Sequence, residues 1–501
     1  MNNFLHLDGF LILMCLAVCF STIVSQEHTK VTIVQTSRDG DNLAEKGTFT
    51  LSEPNEVELP VIKLKLDVKY QKITGFGGAF TESTGYVLSQ LDENKRMEVI
   101  KAYFSPDGAN YSFTRTHINS CDFSLDNYAY DEVAGDVNLD NFSIERDQKY
   151  LIPLIKDAME ISIDGFNILA SPWTAPPWMK DNNDWNDGSL KPEYYPVWAL
   201  YFSKYIKAYE KEGIPIWGVT IENEPNGNGA QWESMIYTPE QTADFIKNNL
   251  GPQFTKDGID AEIMYFDHNR DDVVRWANIV LNDPEAAKYI WGTAVHWYSS
   301  TITWNPAELN KVHEIAPDKG MMHTEGCIDS QVPVWHDDKW YWSKNATDWG
   351  YDWASEEEKP MHPMYKPVFR YAQDIIGGLN NWLTGWIDWN MVLDDKGGPN
   401  HAENWCIAPV IVKPETGEVY YTPLYYIMCH FSKYIRPGAT RIGLSSGDKD
   451  LKITACQNPN NDIVVEVFNP MEREIKYRFQ VGDKAFDYSI PANALQTIIV
   501  N

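Results

Sequence analysis

Residues 216–225 read IWGVTIENEP, residues 238–241 read TPEQ, and residues 262–269 read EIMYFDHN. The first and last segments are short apolar runs that end in polar residues, a pattern typical of strands buried in a parallel sheet. Between them, Thr238 is a predicted helix N-cap, with Pro239 in the first helical position and Gln241 completing a capping box. The three segments therefore predict one strand–helix–strand unit.

The same unit recurs through the middle of the chain. Apolar runs closed by polar or aromatic residues alternate there with segments of helical period. The runs are QKITGFGG (71–78), YSFTRTHINS (111–120), FNILASPW (166–173), IWGVTIENEP (216–225), EIMYFDHN (262–269), IWGTAVHWY (290–298), GMMHTEGC (320–327) and LTGWIDWN (383–390). Eight alternations predict a (β/α)8 TIM barrel, whose active site lies at the carboxyl ends of the strands. The residues that close the runs are therefore the candidates for chemistry.

The two ends of the chain have a different sequence pattern. Residues 29–69 and the tail from Gly438 alternate apolar and polar residues with period two, which indicates antiparallel strands. Neither end has enough strands for an independent sheet, so we expect both ends to build one accessory β-sandwich domain. The predicted boundaries are 1–25 for a signal peptide, 26–70 for the N-terminal strands of the β-sandwich, 71–415 for the catalytic barrel, and 416–501 for the C-terminal part of the β-sandwich.

Composition narrows the class of function. The chain has 501 residues, of which 13% are aromatic, including 19 Trp. Aromatic rings fill cores, and their flat faces also stack on sugars, so this content agrees with a carbohydrate protein without establishing one. The formal net charge of −29 disfavours a nucleic acid partner, because binding a polyanion needs patches of Lys and Arg.

The N-terminus carries an export signal. An apolar stretch from Phe10 to Val24, with Ser25 at a cleavage point, predicts a secretory signal peptide, and a signal anchor is the alternative. No later window reaches ~18 uninterrupted apolar residues, the length that a membrane span requires. N-glycosylation sequons at Asn110, Asn141 and Asn345 agree with export, although chance alone supplies about two or three in a chain of this length.

Several other functional classes lack their signatures. Of seven cysteines, Cys15 and Cys19 lie in the signal, and the other five are widely spaced without a CxxC pair, which disfavours a zinc site or a disulfide scaffold. The histidines are scattered without an HExxH pair, and no GxSxG elbow of a serine hydrolase is present. The glycines at 75–78 lack the spacing of a phosphate cradle and are interpreted as a tight turn after the first strand. We therefore expect no metal and no cofactor.

Two glutamates match the needs of glycoside hydrolysis, which uses one carboxylic acid to protonate the leaving oxygen and a second carboxylate at the anomeric carbon. Glu224 closes the fourth run and Glu325 closes the seventh, and strands four and seven face each other across a barrel mouth. A retaining enzyme needs carboxyl groups about 5–5.5 Å apart. We expect proximity to Glu325 to raise the pKa of Glu224 and to give an acidic optimum.

Other residues near the run ends leave alternatives open. Glu222 is the rival within the fourth run, although it lies one pleat deeper, where a structural ion pair is the simpler interpretation. Asn223 can bond a sugar 2-hydroxyl. Four further carboxylates could accept hydrogen bonds from sugar hydroxyls or, equally, from backbone N–H groups or Arg115: Asp122, Asp267, Asp388 and Asp395.

Many short segments, in order, resemble glycoside hydrolase family 30, the family of the lysosomal acid β-glucosidases. The segments are YFSPDG (103–108), SCDFS (120–124), NLDNFS (138–143), LASPWTAPPWMK (169–180), GSLK (188–191), TIENEP (220–225), TPEQTADFI (238–246), LNDPEAAKYIWGTAVHWY (281–298), TEGC (324–327), TGWIDWN (384–390) and GGPN (397–400). The resemblance implies the fold described above. It also implies a retaining β-glucosidase that hydrolyses glucosylceramide by double displacement through a covalent glucosyl-enzyme.

The resemblance also implies roles for individual residues. Glu224 matches the acid/base, Glu325 matches the nucleophile, and Arg115 matches a position that orders the nucleophile end of the site. Positions that line the glucose pocket are matched by Asp122, Trp173, Asn223, Tyr298, Trp389 and Asn390. The implied substrate is glucosylceramide at lipid surfaces, with a saposin-like activator and anionic lipid as partners. The implied setting is the lysosome, peripheral on the lumenal membrane, or the extracellular space.

Departures from the family pattern leave the identity of the substrate's leaving group undecided. Vertebrate lysosomal members carry a cysteine cluster at the mature N-terminus, whereas this chain has no cysteine between Cys19 and Cys121. Thr116 and His117 replace an apolar pair, and the loop NGNGAQWESMIY at 226–237 differs in length and composition. The alternatives are a relative that acts on β-glucan or xylan, and an inactive carbohydrate-binding protein. Four aromatic residues of a mouth loop could insert into a lipid surface or pack within the loop: Trp335, Trp340, Tyr341 and Trp342.

Overall fold

The computed structural model describes residues 30–329, 332–343 and 355–501. The predicted signal peptide and Asn345 lie outside these residues. The strands are β1 (Lys30–Ser37), β2 (Ala44–Thr50), β3 (Val61–Lys72), β4 (Gly75–Phe80), β5 (Phe113–Ile118), β6 (Asn167–Pro172), β7 (Gly218–Thr220), β8 (Glu262–Asn269), β9 (Ile290–His296), β10 (Gly320–Glu325), β11 (Ile328–Asp329), β12 (Gly385–Asn390), β13 (Val392–Asp394), β14 (Cys406–Ile407), β15 (Val410–Lys413), β16 (Glu418–Tyr421), β17 (Thr440–Ser446), β18 (Lys452–Gln457), β19 (Ile463–Asn469), β20 (Ile475–Val481), β21 (Lys484–Ile490) and β22 (Ala494–Val500).

Helices separate the strands of the central part. The α-helices are α1 (Glu82–Ser89), α2 (Glu93–Phe104), α3 (Leu151–Ile161), α4 (Tyr195–Lys211), α5 (Pro239–Phe245), α6 (Gly251–Asp257), α7 (Val273–Val280), α8 (Pro284–Ala287), α9 (Pro306–Ile315), α10 (Asp338–Tyr341), α11 (Pro367–Asn380) and α12 (Pro423–Tyr434). The predicted capping box at Thr238 is confirmed, since its side chain accepts from the Gln241 N–H and the Gln241 side chain accepts from the Thr238 N–H. Helix α5 therefore begins where the sequence indicates.

Eight parallel strands close into a barrel in the order β4-β5-β6-β7-β8-β9-β10-β12. Each strand coincides with one of the eight predicted runs, so the predicted (β/α)8 fold is confirmed. A layer of apolar side chains fills the barrel interior: Phe113, Leu169, Met264, Ala294, Met322 and Ile387. The interior is therefore a packed core, and chemistry is confined to the strand ends.

The glycine run at 75–78 corrects one expectation. Gly75–Gly78 form part of β4 and do not make a turn after it. A Cβ atom on Gly77 would lie 1.8 Å from the carbonyl oxygen of Phe113 in the neighbouring β5. Glycine is needed here because the two strands approach closely, which is a packing requirement that a turn-residue interpretation misses.

Strands from both chain ends build the second sheet, as predicted. Its order is β2-β1-β22-β19-β18-β17-β3-β20-β21, and it encloses an apolar cluster of its own. Helix α12 contacts both β4 of the barrel and β22 of this sheet, so it lies at the junction. The domain boundary at residues 415 and 416 remains a proposal. Among the residues described, none of the helices combines the length and apolarity needed to cross a bilayer.

Two of the three sequons, at Asn110 and Asn141, lie within the described residues. Asn110 is 7% exposed, and its backbone carbonyl accepts a hydrogen bond from Arg436. Glycosylation at Asn110 stays a prediction. Asn141 is exposed, and glycosylation there stays a prediction.

Candidate active site

A cavity of about 380 Å³ lies at the carboxyl ends of the barrel strands. Its walls come from the segments that follow several different strands, which is the usual construction of an active site on this fold. Most of the predicted site residues line this cavity: Asp122, Trp173, Asn223, Glu224, Tyr298, Glu325 and Trp389. The fold therefore brings together side chains that are up to 267 residues apart, from Asp122 to Trp389.

Two carboxylates face each other in the cavity. A carboxylate oxygen of Glu224, one of Glu325 and a ring nitrogen of His296 all lie within 4.8 Å of one another. Glu325 is 6% exposed, and its two oxygens accept hydrogen bonds from Arg115 Nη1 (2.5 Å) and Tyr298 Oη (3.1 Å). The two carboxyl groups are therefore close enough to act on opposite sides of one glycosidic bond.

Glu224 lies in a turn beyond the end of strand β7. Strand β7 ends at Thr220, and Glu224 adopts a left-handed conformation with φ +52°, which is uncommon outside glycine. Hydrogen bonds hold this turn, because the Asn223 N–H donates to the Pro172 carbonyl (2.7 Å) and the Glu224 N–H donates to the Asp267 carbonyl (3.0 Å). Backbone strain of this kind is typical of functional sites.

Glu222, the rival of Glu224, lies outside the cavity walls. It is 1% exposed, and burial raises its pKa well above the ordinary range, although the nearby Lys180 ammonium opposes the shift. Since burial favours the neutral form of this carboxyl, the structure supports a buried structural group more than a second catalytic carboxylate.

Arg115 is the centre of a buried network behind the carboxylates. Its side chain is fully buried, with Nη1 donating to Glu325, Nη2 donating to Asn223 Oδ1 (2.8 Å) and Asp267 Oδ2 (2.7 Å), and Nε donating to Ser171 Oγ (3.0 Å). The guanidinium also lies 4.7 Å from the ring centroid of Trp173. Arginine suits this position because its planar fork holds several acceptors in fixed directions. The arrangement agrees with a role in orienting Glu325.

Asp267 has the structural role that the sequence left open as an alternative. It has no exposed side-chain surface and accepts from Arg115, Thr220 Oγ1 (2.7 Å), His296 Nε2 (2.9 Å) and Thr324 Oγ1 (2.6 Å). Burial opposes its ionisation, but the charges of Arg115 and His296 outweigh burial and hold the pKa of Asp267 far below its usual value. This carboxylate anchors the groups that contact Glu224 and Glu325.

The surroundings of Glu224 and Glu325 shift the pKa of Glu224 in the direction opposite to the one expected. Burial acts to raise the pKa of Glu224, but the adjacent His268 and His296, of which His296 is within hydrogen-bond distance, outweigh burial and lower that pKa. Burial raises the pKa of Glu325, and the negative charge of Glu224 adds to the shift while His296 and Arg115 oppose it. The expected raised pKa of Glu224 is therefore wrong, because two histidines adjoin its Oε1 at 3.3 and 3.6 Å.

The far wall of the cavity suits a sugar. Trp173 and Trp389 line the cavity with their ring centroids 5.1 Å apart, and each is at most 2% exposed. Asp122 is 3% exposed and accepts a hydrogen bond from Asn404 Nδ2 (3.0 Å). Burial and the charge of Glu325 raise the pKa of Asp122 to about 8, so this carboxyl can donate as well as accept hydrogen bonds.

Asn390 lies elsewhere. Its Oδ1 accepts from Thr81 Oγ1 (2.6 Å) and its side chain does not line the cavity, because neighbouring residues of a strand face opposite sides and Trp389 faces inward. Asp388 is likewise buried away from the cavity and contacts Tyr371 Oη (2.7 Å). Asp395 is partly exposed in a turn outside the walls.

The mouth loops separate into two groups. Gln231 and Trp232, from the loop after Glu224, line the cavity entrance. Of the four aromatics of the other mouth loop, Tyr341 and Trp342 pack inward, at 0% and 3% exposed, whereas Trp335 and Trp340 are partly exposed. Packing within the loop therefore describes Tyr341 and Trp342, while both alternatives stay open for Trp335 and Trp340.

Sequence reasoning missed His268, Asn404 and the importance of His296. His268 and His296 close or nearly close the fifth and sixth strands, so the rule that selected Glu224 would also have selected them. Glu224, His296 and Glu325 form the set of described residues that could hold a cation. The expectation that the protein needs no metal or cofactor stays a prediction.

Comparison with known protein families identifies the family to which the chain belongs. The family model described as Glycosyl hydrolase family 30 TIM-barrel domain matches residues 73–435, and the Glycosyl hydrolase family 30 beta sandwich domain matches residues 438–498. The chain belongs to glycoside hydrolase family 30. The resemblance stated from the motifs is thereby confirmed, and the protein is a glycoside hydrolase.

Individual family members agree with this assignment. The chain is 34% identical to the lysosomal acid glucosylceramidase of Mus musculus over 436 residues, which cover 85% of this chain and 80% of that protein. It is 29% identical to the endo-1,6-beta-D-glucanase of Neurospora crassa, over 79% of this chain and 78% of that enzyme. The crystal structure of SrfJ from Salmonella typhimurium superposes with a TM-score of 0.84 at 30% identity, covering 94% of this chain and 99% of that one.

Proposed function

We propose that this family 30 member is a retaining β-glucosidase that hydrolyses glucosylceramide to glucose and ceramide. The separation of Glu224 and Glu325, with carboxylate oxygens within 4.8 Å, carries the retaining mechanism. The 34% identity to the mouse lysosomal acid glucosylceramidase supports the substrate. The stacked Trp173 and Trp389 and the buried Asp122 offer the apolar face and hydrogen-bonding groups that one glucosyl unit needs.

The first half of the reaction forms a covalent intermediate. Glu224, in its protonated form, donates its proton to the glycosidic oxygen as the bond from that oxygen to C1 breaks. The ionised Glu325 attacks C1 from the other face and forms an ester, and ceramide leaves with the proton. Arg115 and Tyr298 hold the Glu325 oxygens in position for this attack.

The second half releases glucose. Glu224, now ionised, removes a proton from water as the water oxygen attacks C1, and the ester bond to Glu325 breaks. Glu224 thereby recovers its proton, and two displacements at C1 give net retention. The surroundings oppose the proton distribution that the first half needs, because His268 and His296 lower the pKa of Glu224 while burial raises the pKa of Glu325. Substrate binding must therefore place the shared proton on Glu224 before Glu325 attacks.

A β-glucan substrate is the second candidate. The identity to the Neurospora crassa endo-1,6-beta-D-glucanase favours it, and Gln231 and Trp232 at the cavity entrance could stack or bond a sugar leaving group as well as a lipid one. The chemistry at Glu224 and Glu325 would be unchanged, since only the leaving group differs. An inactive carbohydrate-binding protein is the least favoured alternative, because both carboxylates and their supporting network are in place.

We also propose the lysosome or the extracellular space as the place of action. The predicted signal at residues 1–25 and the relationship to a lysosomal enzyme support this setting. A net charge of −29 would repel anionic lipid near neutral pH, so binding of such lipid would need an acidic medium or a saposin-like activator.

The test is hydrolysis of fluorescent glucosylceramide in anionic vesicles at acidic pH. Wild type should release ceramide, and Glu325→Gln should lose about 10⁴-fold or more of the rate because it lacks the nucleophile. Glu222→Gln is the matched control, since it changes a buried glutamate outside the cavity. Activity on β-1,6-glucan alone would move the function to polysaccharide breakdown. Inactivity on both substrates would favour the alternative of an inactive carbohydrate-binding protein.

A further inference from the structure

Two thiols lie side by side in the wall of the active-site cavity. Cys327 follows Glu325 by two residues, and Cys406 begins β14, which pairs with β11 in antiparallel register, Asp329 opposite Cys406. The two sulfurs are 3.0 Å apart. Both side chains are nearly buried, at 3% and 1% exposure, but both line the cavity, which gives small molecules a route to them.

Each thiol is connected to a group that the proposed chemistry uses. Tyr298 Oη, which donates to Glu325, lies 3.5 Å from Cys327 Sγ. Asn404, two residues before Cys406, donates to the Asp122 carboxylate. A link between the two sulfurs would therefore tie the segment that carries the nucleophile to the loop that holds Asp122.

We propose that Cys327 and Cys406 are a modification site that forms a reversible disulfide. A covalent S–S bond is about 2.05 Å long, so the sulfurs need to approach by about 1 Å, and the paired strands already hold the two backbones together. This ladder is only two residues long, so a shift of that size disturbs few backbone hydrogen bonds.

The oxidant is a low-molecular-weight disulfide, represented by oxidised glutathione. One protein thiol, after losing its proton, attacks a glutathione sulfur and releases one glutathione thiolate, leaving a mixed disulfide. The second protein thiolate attacks the protein sulfur of that mixed disulfide and releases the second glutathione. Two protein thiols are thus oxidised by two electrons, and one glutathione disulfide is reduced to two glutathione molecules.

Other cysteines of the described residues differ in their surroundings. Cys121, Cys429 and Cys456 are fully buried and lie outside the cavity walls, so they lack the route that the cavity gives to Cys327 and Cys406. Cys456 lies in β18 of the second sheet, remote from the cavity. We therefore expect oxidation to select the cavity pair.

The test uses the full chain treated with oxidised glutathione, then alkylated under denaturing conditions and digested for mass spectrometry. Wild type should yield a Cys327–Cys406 linked peptide and two fewer alkylated thiols than the sample treated with dithiothreitol. Reduction should also lower Tm by about 2–4 °C, given the usual contribution of a disulfide and the size of the chain. These readouts do not use activity, so they are independent of the proposed function.

Two variants make the test specific. Cys406→Ala should lose both the linked peptide and the sensitivity of Tm to dithiothreitol, whereas the control Cys456→Ala should keep both. Full alkylation of Cys327 and Cys406 in oxidised wild type, or a disulfide to a different cysteine, would overturn the proposal. If Cys406→Ala does not fold, the peptide map of wild type alone decides.

Discussion

Asp267→Asn should damage the protein far more than its small change in shape suggests. The variant removes the negative charge that accepts from Arg115, Thr220, His296 and Thr324 in a site without solvent. Loss of one partner of a buried ion pair costs about 3–5 kcal/mol. At about 2.1 cal/mol/K per residue, the 501-residue chain has an unfolding entropy of about 1 kcal/mol/K, so Tm should fall by about 3–5 °C.

Activity should fall as well, because Arg115 and His296 lose the group that orients them toward Glu325 and Glu224. A displacement of about 1 Å at the catalytic groups lowers kcat/KM by about 100-fold. Because the folded-state pKa of Asp267 is depressed, its stabilisation is present above the unfolded pKa of about 3.9 and is lost only as pH falls further. The Tm difference should therefore be the same at pH 5 and pH 7.

Asp388→Asn is the matched control, measured by the same thermal unfolding and glucosidase assays. Burial raises the pKa of Asp388 well above its usual value, so this carboxyl is neutral and an amide resembles it. Its Tm should change by about 1 °C or less, in line with one adjusted hydrogen bond. Equal losses of Tm in the two variants would refute the assignment of Asp267 as the charged anchor.

Three further predictions concern the cavity. His268→Gln should move the basic limb of the kcat/KM profile to higher pH, because one of the groups that lower the pKa of Glu224 is gone; an unmoved limb in a pH titration would contradict this. Asn404→Ala should raise KM about 10-fold with little change in kcat, since it frees the Asp122 side chain, and steady-state kinetics on an aryl β-glucoside would check it. Trp232→Ala should raise KM for glucosylceramide but not for a glucoside with a small leaving group, and equal effects on both would remove Trp232 from the leaving-group site.

The sequence was sufficient for the barrel because its signal repeats. Each of the eight runs is short, apolar and followed by polar or aromatic residues. A parallel barrel buries its strands on both faces, so apolar runs without alternation are the pattern that its strands require. The run at 71–78 was assigned correctly as a strand, but its glycines were interpreted as a turn. The reason for Gly77, contact with Phe113 on the next strand, exists only once the strands are paired.

The site was predictable to the extent that it depends on strand ends. Glu224, Glu325, Asp122 and Trp389 close runs, and the cavity gathers them. The sequence could not predict the contacts that surround the catalytic carboxylates. The pKa order of Glu224 and Glu325 depends on which histidines adjoin which oxygen, and the placement of Asn390 depends on a side-chain direction beside Trp389.

The buried charges also favour a single proton shared between Glu224 and Glu325. Arg115 contributes one positive charge and His296, with its pKa raised to about 9 by Glu325 and Asp267 against the opposing effect of burial, contributes a second. Asp267 contributes one negative charge, and Glu224 and Glu325 together contribute one more when they share a single proton. The cluster is then neutral, which a buried site favours over any charged alternative. That singly protonated state is also the one that double displacement requires, with one carboxyl to donate and one carboxylate to attack.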